Sequence, residues 1–115
     1  MSINADGVAA VMAASLDAVV TKTCQGVITG WSPVAVDVYG YQPEEIIGRD
    51  AVVLFPAGWE GEETDLLRRV AAGERIPPYS TNRVRKDGTI ITALLAMTPI
   101  VDKAGTVVGV ASTSR

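Results

Sequence analysis

The chain has 115 residues, 48% of them hydrophobic and 20% charged, with a net charge of −3 and a pI of about 4.8. That is the size of one domain with its own core, not a disordered segment, and no basic run longer than two residues offers a nucleic-acid footprint. The absence of histidine removes Ser-His-Asp and Cys-His nucleophile systems and every His-ligated zinc, iron or haem site.

The lone cysteine, Cys24, rules out an internal disulfide and fits a reducing, cytoplasmic setting. No apolar run reaches the ~18 residues that span a bilayer. The N-terminus has no basic stretch ahead of its apolar residues, so no secretory signal is expected.

In chain order, Asn4 or Asp6 caps a weak helical stripe through Val8, Val11, Met12 and Leu16, so residues 1–15 are expected to form a flanking helix. Residues 17–23 are β-branched and read as a strand, Gln25-Gly26 as a tight turn, and residues 27–31 as the returning strand. Ser32-Pro33 starts a short helix: a hydroxyl cap, then proline at the first helical position, with Gly40 as the stop. Pro43 opens one further turn, ended by Gly48.

Residues 60–72 form the one longer helix. Acids crowd its first turn and Arg68-Arg69 its last, while Leu66, Leu67 and Val70 face inward. The acids Glu60, Glu62, Glu63 and Asp65 are expected to sit there for the macrodipole, not for a metal. Pro77-Pro78 is expected to break the chain. Three strands follow, 79–85, 89–98 and 106–112, joined by Lys86-Asp87-Gly88 and by residues 102–105. Two strands, short helices and a three-strand meander make an α+β arrangement with helices on one face of an antiparallel sheet.

From about Leu16 to Arg115 the residues resemble the PAS domain family. The resemblance is carried by Asp17-Ala18-Val19-Val20, Gly26-Val27-Ile28, Trp31-Ser32-Pro33, Gly40-Tyr41, Glu44-Glu45-Ile46-Ile47-Gly48-Arg49, Arg85-Lys86-Asp87-Gly88, Thr98-Pro99-Ile100 and Asp102-Lys103-Ala104-Gly105, in that order. Ser32 stands where the family often has asparagine. The end at Ser114-Arg115, without the family's usual exit toward an output helix, leads us to expect a domain cut from a longer signalling protein. The resemblance implies a PAS fold: a five-stranded sheet in the order 2-1-5-4-3, with a small cavity under short helices.

Haem-binding relatives use a histidine, which is missing here. Light sensors of the LOV type carry a reactive cysteine at the position of Ala51, and their flavin-holding amides fall on Arg83 and Ala93, so no cofactor is expected. The cavity lining implied by the resemblance is Val36, Tyr39, Ile46, Ile47, Val53, Leu54, Phe55, Leu67, Ile91, Leu95, Met97 and Val110. It is nearly all aliphatic and suits a small hydrophobic ligand, unless these side chains simply fill the core.

Arg49, Arg83 and Arg85 are candidate anion anchors. Glu45 and Lys86 match a family pair expected to form a salt bridge. The function expected is a non-enzymatic sensory or dimerisation domain of a larger protein (a histidine kinase, a cyclic-di-nucleotide enzyme or a transcription regulator). It would form a homodimer through the N-terminal helix and the sheet face bearing Thr92, Leu94, Ala96 and Thr98. The alternatives are a ligand-free structural adaptor and, remotely, a carboxylate-based enzyme.

Overall fold

A computed structural model describes Ile3, Asn4, Met12 and residues 14–115. Along the chain come β1 (Ile3–Asn4), β2 (Ala18–Lys22), β3 (Ile28–Trp31), α1 (Pro33–Tyr39), α2 (Pro43–Ile46), a 3-10 turn (Ala51–Leu54), α3 (Glu60–Ala71), β4 (Ile76–Val84), β5 (Ile90–Val101) and β6 (Val107–Ser114). The five longer strands form an antiparallel sheet in the spatial order β3-β2-β6-β5-β4, which is the 2-1-5-4-3 order when β2 is counted as the first strand.

Four expectations change. Asn4 is not a helix cap: Ile3 and Asn4 pair in parallel with Ile100 and Val101 of β5. The last β4–β5 pair is Ile76 with Met97, so the end of β5 has a free edge for β1 to cover. Met12 and Ala14 are helical; Asp6, Val8 and Val11 of the expected helix lie outside the described residues. Leu16, assigned to that stripe, is 93% exposed.

Pro77 and Pro78 do not break the chain but lie within β4, at a register shift between Ile76 and Tyr79. An edge strand tolerates proline because its outer N–H positions need no partner. For the same reason β5 runs through Pro99 to Val101, beyond the reach of β4.

Helix α1 begins where Ser32 Oγ accepts the Ala35 amide and ends at Gly40, whose φ of 85° closes the last turn with a bond to Val36 O. It packs on β2, while α3 packs on β5 and β6. Two apolar clusters result. One joins Ala18, Val20, Ile28, Trp31, Tyr39, Ile46 and Phe55 under the short helices. The other joins Leu66 and Val70 of α3 to Ile76, Leu95, Met97 and Val110.

Candidate functional site

The space between helices and sheet is where a ligand of this fold would lie. Strand alternation decides what faces it. On β2 the inward set is Ala18, Val20 and Lys22; on β4 it is Thr81 and Arg83. Each inward run therefore carries a cation into the interior. Lys22 and Arg83 are 5% and 3% exposed, a costly placement for a charge without a partner.

Both find partners on the first turns of α3. Lys22 Nζ donates to Glu63 Oε1 at 2.6 Å, and Arg83 Nη2 donates to Glu62 Oε2 at 2.8 Å. Glu62 also accepts from Tyr79 Oη at 2.7 Å and from Thr81 Oγ1 at 3.0 Å. The Phe55 ring lies close to both cations, its centroid 3.8 Å from the Arg83 guanidinium carbon and 5.9 Å from Lys22 Nζ. Nearby, Tyr39 Oη and Ser114 Oγ share a hydrogen bond of 2.7 Å.

The environment shifts the titrations accordingly. Burial pulls the Lys22 ammonium below the usual lysine range, against the opposing pull of Glu63. Burial alone would raise the Glu62 carboxyl, but the bonds from Arg83, Tyr79 and Thr81 and the Arg83 charge hold it below the ordinary range. Tyr79 is pushed up to about 12, by burial first and then by its bond to Glu62. Burial also raises Tyr39, against the Ser114 bond.

These groups leave an interior hollow of about 20 Å³, enough for roughly one water. Its walls are Val20, Lys22, Tyr39, Ala51, Leu54, Phe55, Arg83, Leu95, Met97 and Ser112. Of the expected aliphatic lining, Tyr39, Leu54, Phe55, Leu95 and Met97 meet there. Ile46 and Val110 are buried within the two apolar clusters instead, while Val36, Val53, Leu67 and Ile91 are partly buried at their margins.

Ile47 is 46% exposed and lines nothing: it follows the single turn of α2, whose inward position is taken by Ile46. The expectation of a mostly aliphatic cavity is thereby corrected. The hollow that remains is walled by the paired cations Lys22 and Arg83 and by Phe55 as well as by aliphatic side chains. Glu63, expected at the helix start for the macrodipole, is buried.

Arg83 is committed to Glu62 and is no free anion anchor. Arg49 is exposed, its guanidinium carbon 5.7 Å from the centroid of the Tyr41 ring. Arg85 is half-buried beside Gly40. Glu45 Oε1 and Lys86 Nζ lie 2.7 Å apart, joining α2 to the β4–β5 hairpin. Trp31 is buried, its Nε1 donating to Tyr41 O at 2.9 Å, and Trp59 is 40% exposed just before α3. Ala51 is buried at the start of the 3-10 turn, and its methyl offers no nucleophile. Among the described residues no group of three or more acids or thiols converges as a metal site.

Residue-type reasoning missed Lys22 and Glu63. The signal for Lys22 was parity: it shares a strand face with Ala18 and Val20. Glu63 carried a weaker one, three residues before Leu66 and seven before Val70 on the inward stripe of α3.

Residues 16–115 match the family model described as "PAS domain". Among solved structures the fold is similar to a PAS domain from Colwellia psychrerythraea (24% identity, TM-score 0.79, covering 96% of this chain and 93% of that one). It is similar to a domain of a sensory box sensor histidine kinase/response regulator from Geobacter sulfurreducens (18%, TM-score 0.77, 96% and 91%). A Rhodobacter sphaeroides LOV protein also shares it (14%, TM-score 0.81, 96% and 65%). No curated protein matches the chain.

Proposed function

The chain belongs to the PAS domain family, and from that premise we propose that it is a non-catalytic sensory and dimerisation module of a larger signal-transduction protein. Its input is a protein contact or a shift in helix packing, not an apolar ligand enclosed in the core. The observation that carries this reading is the filled interior: two ion pairs and Phe55 leave about 20 Å³, against the several hundred Å³ that a small organic ligand needs.

A population shift in how α3 and the N-terminal segment sit on the sheet would pass to the attached output domain. The outer sheet face fits that role. Ile90 and Leu94 are 57% and 42% exposed there, and Leu16, 93% exposed, precedes Asp17, whose carboxylate pairs with Arg115, the residue that exchanges backbone hydrogen bonds with Leu94. Such an apolar face suits burial against a second copy.

No described helix is long and apolar enough to cross a membrane. The alternative input, a small hydrophobic ligand, would require the interior to open. Native mass spectrometry of the purified domain separates the two. We expect the mass of the bare chain as a monomer–dimer mixture; a retained apolar molecule, removed by organic extraction and identified in the extract, would overturn the reading.

A further inference from the structure

We infer that the hollow between the end of α1 and the β4–β5 hairpin is a binding subsite for a small carboxylate anion. Three observations meet there. The hollow measures about 420 Å³ and is lined by Tyr39, Gly40, Arg85, Lys86 and Asp87. Arg85 lies just past the end of β4, two residues after Arg83. Where Arg83 reaches Glu62, no described residue accepts from the Arg85 guanidinium, and its Nε–H is buried without a partner.

A buried donor in that state calls for an acceptor. The α1 terminus does not supply one: Val36 O accepts the Gly40 amide and Tyr39 O the Lys86 amide, and Arg85 Nε bonds to neither. Gly40, held at a φ of 85° that favours glycine, borders the same hollow: the position a Cβ would take there is 4.0 Å from Arg85 Nη2 and 3.5 Å from Lys86 Cβ.

The neighbouring charges limit the class of anion. Lys86 is matched by Glu45 at 2.7 Å. Asp87 accepts the Thr89 amide at 2.9 Å within the hairpin and lies close enough to feel the Arg85 charge. The one cation left over favours a singly charged carboxylate, whose two oxygens fit the guanidinium fork, over a phosphate dianion that Asp87 would repel more strongly. This subsite lies outside the filled interior, and the inference does not depend on whether the domain dimerises.

The test is a ¹H–¹⁵N NMR titration of the intact chain with sodium acetate, with sodium chloride at equal ionic strength and inorganic phosphate as separate arms. Acetate is expected to produce a saturable shift of the Arg85 Nε–H and of the Gly40 and Lys86 amides, leaving the Arg83 Nε–H in place. In Arg85→Gln the affinity should fall about tenfold or more, as loss of a charged bidentate contact predicts. Should that variant fail to fold, Arg85→Lys keeps the charge without the fork and is expected to weaken binding too. A linear drift matching chloride, tighter binding of phosphate than of acetate, or undiminished saturation in a folded Arg85 variant would each overturn the assignment.

Discussion

Ser32 Oγ accepts two backbone amides, that of Ala35 at 3.2 Å and that of Val19 at 2.8 Å, and the residue is 1% exposed. The first bond is a helix cap legible from the Ser-Pro pair; the second ties α1 to β2 and exists only once they pack. Ser32→Ala therefore leaves a buried N–H unmet as well as losing a cap. It should cost about 2–4 kcal/mol in urea unfolding, more than a cap alone. Tyr79 and Glu62 give opposite pH signatures. The Tyr79 pKa is raised from its ordinary value to about 12, so its contribution is fully present below about pH 10 and is lost as the pH rises toward 12. The Glu62 pKa is lowered, so its contribution is present above the unfolded carboxylate value of about 4.3 and is lost as the pH falls through the folded value. Urea midpoints measured across pH should show the alkaline decline flattened in Tyr79→Phe and the acid decline flattened in Glu62→Gln.

Helix α3 is held to the sheet by side chains of two kinds. Leu66 and Val70 supply ordinary apolar burial, while Glu62 and Glu63 reach β4 and β2 through the ion pairs. Removing one partner strands the other in the interior, at a cost of about 3–5 kcal/mol; replacing both with apolar residues of similar size is far milder. Glu63→Gln should therefore destabilise strongly, and Lys22→Met/Glu63→Leu should recover most of the loss. Hydrogen exchange gives the finer readout: in Glu63→Gln the amides of α3 should lose protection before those of β5 and β6, because α3 opens as a local unit. Equal loss across sheet and helix would show that the pair supports the whole fold and not one element.

At the scale of the molecule, the two faces of the sheet divide the work. The inner face is closed over charges; the outer face exposes Ile90 and Leu94. If the outer face carries the proposed dimer, Leu94→Lys should shift sedimentation to the monomer with little change in the unfolding midpoint, since Leu94 lies outside the core. A dimer that persists in this variant would place the contact elsewhere.

The element sequence and the turns at Gly40 and Gly88 were legible in the chain, because caps, prolines and period-2 alternation act over a few residues; the strand order came only as what the family resemblance implies. The prolines of β4 and β5 and the strand at Ile3–Asn4 were not. Proline and asparagine weigh against a strand locally, and only the free sheet edges beside them reverse that preference. The interior was misread for a related reason. The aliphatic residues do form a core, but the sequence alone determined only which side chains could face inward. That Lys22 meets Glu63, 41 positions away, and that Arg83 meets Glu62 while stacked on Phe55, was decided by the packing of α3 on the sheet. A charge is tolerated inside a protein only where a distant partner arrives to neutralise it.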